Sequence, residues 1–381
     1  MVLELLPGTK GEKMKVPMLD LQAQYKPLMP KIKEALERVF AEHNYIMGPQ
    51  VKEFEEKMAN YLGIKNAIGC ASGTDALVLA IKALGIGAGD EVITTPFSFF
   101  ATASSIWRNN AIPVFVDIDP LTFNLDPDNI EKAITEKTKA ILPVHLFGQC
   151  ANMDSIMAIA HKYNLYVIED NAQGIGCTWD GKMSCSFGDI GILSFFPSKN
   201  LGAMGDAGMC LTNNDDYAFK LRQLRVHGEN PKYYHQWVGL NSRLDTLQAA
   251  VLSVKLDFLE GWSKGRRANA EFYNEHLKNV PGIRIPYIDP KAVSIYNQYT
   301  LVCEKRDKLM AYLKEKEIGC AVYYPLPLHL QECFSSLGYK KGDLPVAEEM
   351  AEKVLSIPIY PELTREQKEY VCKTITNFYY H

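Results

Sequence analysis

The feature that most constrains the fold is an alternation of short apolar segments with helical patterns between residues 66 and 196. Short apolar runs are typical of strands, whereas apolar residues three and four positions apart are typical of helices. Strands are predicted at Asn66–Cys70, Glu91–Thr95, Ile112–Val116, Ala140–Val144, Leu165–Glu169, Ile190–Phe196 and Met209–Thr212. Helical patterns separate the first five, near 74–84, 98–110, 127–135 and 152–163. The alternation predicts an α/β domain with a mostly parallel sheet that helices cover on both faces.

The pattern divides the chain into three regions. We expect an N-terminal arm and helix at 1–49, a large α/β domain at 50–255, and a linking helix with a smaller C-terminal α+β domain at 256–381. Helices are predicted at 243–260 and 264–279, before the change of rhythm that Pro281 and Pro286 mark. Beyond them the predicted elements are strand Gln298–Cys303, helix 306–315, strand Cys320–Tyr323, and helices 345–355 and 364–379.

Composition excludes several classes of function. Lys and Arg number 41 against 45 Asp and Glu, a net charge of −4, so we expect no nucleic-acid or anionic-membrane partner. The 9 cysteines are scattered and never spaced Cys-x-x-Cys, which predicts free thiols in a reducing cytoplasm. Residues 1–14 lack the apolar core of a signal peptide, and no run approaches the roughly 18 apolar residues of a membrane span. A cytoplasmic protein is predicted.

The segment Cys70–Leu77 leads from a predicted strand through small residues directly into a helical pattern. Gly73 permits close backbone approach, and free amides of Thr74 and Asp75 at a helix start can bind a phosphate. Taken alone, the pattern is more typical of an ordinary capped helix.

Two acids, Glu169 and Asp170, end another apolar strand. Burying a carboxylate is costly unless it is paired, so at least one of them is expected to meet a cation or a hydrogen-bond donor. A carboxylate that caps the following turn explains the pattern equally well.

Lys199 lies in a turn between an apolar strand and the glycine-rich segment Gly202–Gly208. Most lysines extend into solvent. Here the flanking residues are aromatic or small, a setting that can desolvate the amine and lower its pKa toward nucleophilic use.

Together these segments supply the three attachments that pyridoxal phosphate requires. A lysine forms a Schiff base, an acid keeps the pyridine nitrogen protonated, and a helix start holds the phosphate. Ligands of open α/β sheets bind outside the carboxyl ends of the strands, where all three segments are predicted to lie.

Longer motifs extend this interpretation across the chain. They are Gly48-Pro49-x-Val51-x-x-Phe54-Glu55, Ser72-Gly73-Thr74-Asp75-Ala76-Leu77, Val114-Phe115-Val116-Asp117-Ile118-Asp119, Gly148-Gln149, Ile168-Glu169-Asp170-x-Ala172-Gln173, Ser194-Phe195-x-Pro197-x-Lys199 and Asn241-Ser242-Arg243-Leu244-Asp245-x-x-Gln248-Ala249-Ala250. With these motifs the chain resembles, from Val16 onward, the sugar aminotransferases that act on keto-sugar nucleotides. The resemblance implies the fold of fold-type I pyridoxal-phosphate enzymes and that cofactor.

The resemblance also implies residue roles. Lys199 would be the Schiff-base lysine that moves the proton, and Asp170 would pair with the pyridine nitrogen, so both are predicted to be catalytic. Gln173 would touch the ring, and Phe99 would stack on it, with plain core packing as the alternative for Phe99. The predicted phosphate ligands are Gly73, Thr74, Asp75, Ser194 and, from the partner subunit, Asn241.

The motifs Asn241-Ser242-Arg243, Gly148-Gln149-Cys150-Ala151 and Val322–His329 resemble most closely those of enzymes that aminate UDP-2-acetamido-2-deoxy-3-oxo-glucuronate. In that group the matching arginine faces the sugar carboxylate, for which a guanidinium fork is well suited. An ion pair at a helix start or subunit interface is the alternative for Arg243. The predicted substrate residues are Arg243, Tyr323, Tyr324 and His329, with Tyr323 standing where a His is common.

The predicted function is therefore a homodimeric transaminase with shared active sites. It would move an amino group from L-glutamate to a keto-sugar nucleotide for surface glycan or lipopolysaccharide biosynthesis. Three alternatives remain: a 3-keto- or 4-keto-6-deoxyhexose substrate, a lyase or desulfurase with the same cofactor, and a non-catalytic regulator or binding module. A dehydratase branch of the family carries His at the lysine position, so Lys199 favours transamination.

Two further clusters receive less weight. His145, His227 and His235 lack metal-ligand spacing, so no metal site is predicted. The basic cluster of Lys264, Arg266 and Arg267 could reach a nucleotide diphosphate, but a solvated helix face is the favoured interpretation.

Overall fold

The computed structural model describes residues 14–380; residues 1–13 and 381, with most of the segment evaluated as a signal peptide, lie outside it. The helices are α1 (Leu21–Tyr25), α2 (Met29–Glu42), α3 (Pro49–Leu62), α4 (Gly73–Ala83), α5 (Ala101–Arg108), α6 (Pro127–Ile130), α7 (Met153–Tyr163), α8 (Asp215–Leu224), α9 (Thr246–Leu256), α10 (Leu259–Leu277), α11 (Arg306–Glu315), α12 (Pro345–Lys353) and α13 (Arg365–Tyr380). Short 3-10 helices lie at Glu131–Ala133, Leu146–Gly148, Leu328–Leu330 and Glu332–Leu337.

The strands include all seven that were predicted before residue 213. They are β1 (Asn66–Cys70), β2 (Glu91–Thr94), β3 (Ile112–Phe115), β4 (Thr138–Leu142), β5 (Tyr166–Asp170), β6 (Thr178–Trp179), β7 (Lys182–Met183), β8 (Ile190–Ser194), β9 (Gly208–Thr212), β10 (Ile283–Arg284), β11 (Ala292–Val293), β12 (Tyr299–Cys303) and β13 (Val354–Ile357).

The main sheet confirms the predicted α/β architecture. Its seven strands are ordered β1-β9-β8-β5-β4-β2-β3, and β9 runs antiparallel to both of its neighbours while the other pairs are parallel. The parallel strands therefore end at one edge, and crossover helices return the chain to the opposite edge. This arrangement brings the residues that follow β1, β5 and β8 together.

Both faces of the sheet are buried, as the apolar runs predicted. Successive strand residues point to opposite faces: Ile192 and Cys210 pack into a core that includes α4 and α8. Leu193 and Met209 pack into a second core that includes α3 and α9. The helices thus anchor the strands whose carboxyl ends form the site.

The C-terminal region has a small sheet, β10-β12-β13, which packs with α10, α11 and α13. The predicted helix 345–355 is confirmed as α12, although it ends at Lys353 because the buried β13 follows and pairs antiparallel with β12. One prediction here was wrong. The predicted strand Cys320–Tyr323 makes only an isolated bridge, from Ala321 to Ser356, and then turns toward the main sheet. That turn brings Tyr323 to the large cavity described below.

Across residues 14–380, no helix combines the length and apolar character that a bilayer crossing requires.

Candidate active site

A cavity of about 660 Å³ lies where the carboxyl ends of β1, β5 and β8 meet a loop of the C-terminal region. Its lining is formed by Ser72, Gly73, Thr74, Leu77, Ser98, Phe99, Ala101, Thr102, Val144, Asp170, Ala172, Gln173, Ser194, Phe196, Ser198, Lys199, Asp206, Ala207, Gln298, Val322, Tyr323 and Tyr324. Its size suits a cofactor or a small substrate. The three segments singled out in the sequence therefore share one cavity.

Lys199 reaches the cavity from a tight turn that follows β8. Its backbone N–H donates to the carbonyl oxygen of Phe196 at 2.8 Å, which closes the turn. The side chain is partly accessible from the cavity. Protein atoms around the amine desolvate it and lower its pKa to about 8, although the negative charge of Asp170 opposes the shift. The lowered pKa makes the unprotonated, nucleophilic form of this amine far more abundant near neutral pH than in an ordinary solvated lysine.

Asp170 ends β5 and is almost completely buried, 3% exposed. Its Oδ2 accepts a hydrogen bond from the Thr102 hydroxyl at 2.8 Å, and its Oδ1 accepts one from the Ala172 backbone N–H at 3.2 Å. Ser98 Oγ lies 2.9 Å from Thr102 Oγ1, so its proton can support that donor. Burial raises the pKa of Asp170 even against these bonds. A cationic ligand group in the cavity would relieve that cost.

Gln173 is held by hydrogen bonds at both ends of its amide. Its Oε1 accepts from the Phe147 backbone N–H at 2.8 Å, and its Nε2 donates to the Tyr324 hydroxyl at 2.9 Å. Gln173 thus fixes Tyr324, which comes from the C-terminal region, against the wall formed by the loop after β5. Burial raises the pKa of Tyr324, so its hydroxyl stays protonated.

The start of α4 forms a narrow cradle with the end of β8. Ser72 caps the helix: its hydroxyl oxygen accepts a hydrogen bond from the Asp75 backbone N–H at 3.1 Å. The Asp75 amide was expected to be free for a phosphate, and this bond shows that it is not. Gly73 and Thr74 line the cavity together with Ser194. A Cβ at Gly73 would lie 2.6 Å from Ser194 Cβ, so only glycine permits this approach. The cradle combines helix-start amides with a hydroxyl, a typical phosphate site.

We expect Gly73→Ala to weaken the binding of pyridoxal phosphate by about ten- to a hundred-fold. The added methyl group must displace Ser194, and overpacking typically costs about 1–3 kcal/mol. Titration of the cofactor-free protein with the cofactor measures this dissociation constant. Gly261→Ala is the matched control, because its Cβ would meet nothing within 4 Å. Equal affinity in both variants would contradict the phosphate cradle.

Two predicted aromatic residues also lie at the cavity. Phe99 is 58% exposed in the turn before α5, with its ring 6.4 Å from that of Tyr324. This position argues against the alternative of core packing. Tyr323 lines the cavity beside Tyr324, and burial raises the pKa of its hydroxyl.

The segment 241–243 lies outside the cavity of its own subunit. Asn241 is exposed and forms a bridge with Val226, and Ser242 Oγ accepts the Ala71 backbone N–H at 3.2 Å. Arg243 is half-buried and makes no side-chain hydrogen bond or ion pair with any residue of the described range 14–380. The segment therefore lies beside the loop after β1, and the Arg243 guanidinium is available to a ligand or a partner subunit.

His329 is not brought to the cavity. The 3-10 helix Leu328–Leu330 turns its side chain into the interior, where its Nε2 lies 3.1 Å from Glu348 Oε1. It packs between the rings of Phe115 and Tyr339. This geometry gives His329 a packing role in place of the predicted contact with substrate.

The sequence interpretation missed several residues that complete the site. The position of Thr102, four residues after Ser98 at the start of a helix, indicates that the two hydroxyl groups lie on one helix face. The sequence does not indicate that Thr102 contacts Asp170. Gln298 and Asp206 gave no signal, because long-range packing brings them to the cavity. Among the described residues, no group of three or more His, Cys, Asp or Glu side chains is placed to hold a metal ion.

The lining residues fit pyridoxal phosphate. The cradle at Gly73 and Ser194 suits its phosphate, the desolvated amine of Lys199 suits its aldehyde, and the buried carboxylate of Asp170 suits its ring nitrogen. Each group lies at a different strand end around one cavity.

Comparison with known proteins gives an independent result. The model of the DegT/DnrJ/EryC1/StrS aminotransferase family matches residues 28–376. A pleiotropic regulatory protein of Geobacillus stearothermophilus is 52% identical over 97% of this chain and 100% of its own length. The UDP-2-acetamido-2-deoxy-3-oxo-D-glucuronate aminotransferase of Pseudomonas aeruginosa is 45% identical over 94% of this chain and 99% of its own. The crystal structure of S. venezuelae DesV in complex with a ketimine intermediate is 38% identical, with a TM-score of 0.95 over 96% of this chain and 99% of that one.

Proposed function

The chain belongs to the DegT/DnrJ/EryC1/StrS aminotransferase family and is a pyridoxal-phosphate-dependent nucleotide-sugar transaminase, and from this premise we propose its substrates and its catalytic residues. The proposed reaction moves the amino group of L-glutamate to the ketone of UDP-2-acetamido-2-deoxy-3-oxo-glucuronate, in surface glycan biosynthesis. The observation that carries the catalytic assignment is the desolvated amine of Lys199 in one cavity with the buried carboxylate of Asp170.

The protein supplies binding, orientation and proton transfer. Pyridoxal phosphate, when bound, withdraws electrons from the carbon that carries the amino group. Gly73, Thr74 and Ser194 would hold the phosphate, and Asp170 would keep a proton on the ring nitrogen. The Lys199 amine would hold the aldehyde group and, when free, would move the proton at the reacting carbon.

The walls of the cavity orient these groups. Thr102 and the Ala172 amide fix both oxygens of Asp170, so the carboxylate keeps one orientation at the cavity, where it would pair with the ring nitrogen. Gln173 joins Tyr324 to the loop after β5, which encloses the reacting groups from the side of the C-terminal region. Phe99 lines the cavity and would stack on the ring, which would exclude water from one side. L-Glutamate and the keto-sugar use the same cavity in turn, which gives alternating half-reactions.

The proposed sugar follows from Arg243. Its guanidinium has no partner among the residues of the described subunit, although a half-buried arginine normally pairs with an acceptor. A sugar carboxylate would provide a bidentate partner. The Pseudomonas aeruginosa relative is named for a 3-oxo-glucuronate substrate, which carries such a group.

A homodimer with shared active sites would bring Arg243 and Asn241 of one subunit to the cavity of the other. Two large apolar side chains that line the cavity are unusually exposed, Phe99 at 58% and Phe196 at 52%. Exposed apolar groups in one place are typical of an interface. These two observations support the dimer.

The Geobacillus stearothermophilus relative is named as a regulatory protein, and a non-catalytic regulator is therefore the alternative function. Lys199, Asp170 and Gln173 are nevertheless all present and held in one cavity. These residues favour catalysis over a non-catalytic binding module.

We expect Arg243→Met to raise KM for the 3-oxo-glucuronate by about ten- to a hundred-fold and to leave KM for a nucleotide 3-keto-sugar without a carboxylate unchanged. A hydrogen bond to a charged group contributes about 1.5–3 kcal/mol. Steady-state kinetics on both sugars provides the measurement. Arg222→Met is the matched control, since within residues 14–380 the side-chain hydrogen bonds of this α8 arginine go to Asn66 alone.

An equal rise of KM for both sugars would show that Arg243 does not face the carboxylate. Preference of the unmodified enzyme for a dTDP- or UDP-linked 3-keto- or 4-keto-6-deoxyhexose would replace the proposed substrate by the alternative.

A further inference from the structure

A second lysine with a desolvated amine, Lys255 of α9, lies outside the cavity. Its side chain is fully buried, 0% exposed, although lysine is among the residue types that are least often buried. Burial lowers its pKa to about 8, and among the charged groups Glu362 opposes this shift. Its amine forms no ion pair with a carboxylate of residues 14–380, so its burial requires another explanation.

The contacts of Lys255 lead to the loop that carries Lys199. The Lys255 amine donates to the Gly202 carbonyl oxygen at 2.5 Å and to the Tyr25 hydroxyl at 3.0 Å. The Tyr25 hydroxyl donates in turn to the Ala203 carbonyl oxygen at 3.2 Å. The amine also lies 4.2 Å from the centroid of the Tyr25 ring. Two carbonyl groups just beyond Lys199 are therefore held from α1 and α9.

The loop transmits such a constraint because it folds back on itself. A Cβ on Gly202 would lie 2.3 Å from the Pro197 carbonyl oxygen, so the two ends of the turn are in direct contact. Lys199 lies between them, with its backbone N–H bonded to Phe196. A displacement of Gly202 must therefore move Pro197 and change the direction of the Lys199 side chain.

We propose that Lys255 and Tyr25 are positioning residues that hold the Lys199 loop in its reactive conformation from outside the cavity. The inference rests on the proposed role of Lys199. Neither residue lines the cavity, so both would act through the loop. The titratable groups that face Lys255 are Tyr25 of α1 and Glu362, which precedes α13.

The test compares Lys255→Met and Tyr25→Phe with the unmodified holoenzyme. For Lys255→Met we expect kcat to fall about ten- to a hundred-fold, since displacement by about 1 Å costs about a hundred-fold, while KM for L-glutamate is unchanged. The visible absorption of the cofactor bound to Lys199 should titrate with a higher midpoint pH, because a loosened loop admits water that stabilises the protonated nitrogen of the Lys199–cofactor linkage. Tyr25→Phe should change both quantities in the same direction by a smaller amount.

Lys57→Met is the matched control. Lys57 of α3 also donates to a backbone carbonyl group of α9, that of Ser253 at 3.4 Å, but it is exposed and does not contact the loop. Its kcat and titration midpoint should equal those of the unmodified enzyme.

The outcomes separate this inference from the proposed function. If both variants keep the unmodified midpoint and kcat, the positioning role is overturned. If Lys255→Met does not fold, Tyr25→Phe decides alone, because it removes only a hydroxyl group. If borohydride reduction of the unmodified holoenzyme leaves no cofactor label on Lys199, the proposed role of Lys199 fails, and this inference fails with it.

Discussion

Replacement of Lys199 by alanine is expected to lower kcat for amino transfer by at least about 10³- to 10⁴-fold. The substitution removes the amine that binds the cofactor and carries the proton, and general acid-base catalysis alone contributes about 10²–10⁴. The cradle at Gly73 and Ser194 remains, so the variant should still bind pyridoxal phosphate noncovalently. Stopped assays with L-glutamate and the keto-sugar nucleotide measure the loss, and equilibrium dialysis measures the binding.

Lys264→Ala is the control, because it removes a lysine side chain outside the cavity. Lys264 lies on α10 with a side chain that is 72% exposed and only a distant contact, 4.0 Å, to Glu260. Its activity should equal that of the unmodified protein. Turnover of Lys199→Ala within ten-fold of the unmodified enzyme would be incompatible with the assigned role.

Replacement of Asp170 by asparagine is expected to lower kcat by about 10²–10³-fold, the range seen when one preorganised electrostatic group is removed. Asparagine has the same shape but no charge, so it cannot keep the ring nitrogen protonated. Because burial raises the pKa of Asp170, its ionised form disfavours the folded cofactor-free protein at neutral pH. The free energy of unfolding of the variant should therefore stay unchanged or increase, as denaturant titration would show.

Asp189→Asn provides the matched control. Asp189 is also a carboxylate whose pKa burial raises, and it accepts the Val167 backbone N–H at 2.9 Å. It lies at the opposite edge of the sheet from the cavity, so kcat should be unaffected. A similar loss of kcat in both variants would mean that Asp170 acts through stability rather than through the cofactor.

The sequence was sufficient to predict the main sheet and the place of the site. Apolar runs separated by helical patterns allow few topologies, because parallel strands need crossover connections. Their carboxyl ends must then share an edge, which is why Gly73, Asp170 and Lys199, far apart in the chain, line one cavity.

Contacts between distant segments could not be predicted. Arg266 lies in a basic run and was expected on a solvated face, yet it is 3% exposed. Its Nη1 donates to carbonyl oxygens of Tyr296, Asn297 and Ile359, which belong to segments that pack over α10. The hydrophobic pattern of a single helix contains no information about such backbone acceptors.

Local turn geometry also separated residues that the sequence groups together. Tyr323, Tyr324 and His329 belong to one motif, but the 3-10 helix at Leu328–Leu330 directs His329 toward Glu348 and away from the cavity. Likewise the Ser72 hydroxyl bonds the amide of Asp75, which the sequence suggested was available for a phosphate. A side chain that caps a helix and one that leaves it open differ only in rotamer, which composition does not determine.

The measurement that tests the account most directly is to reduce the holoenzyme with borohydride and identify the lysine that carries the cofactor by peptide mass mapping. Among the lysines of residues 14–380, Lys199 and Lys255 have a pKa lowered to about 8, and of these two Lys199 lines the cavity. We therefore expect the phosphopyridoxyl group on Lys199 alone, and its loss when L-glutamate is added before the reduction. A label on Lys255 or another lysine, or a label on Lys199 that L-glutamate does not remove, would contradict the proposed active site.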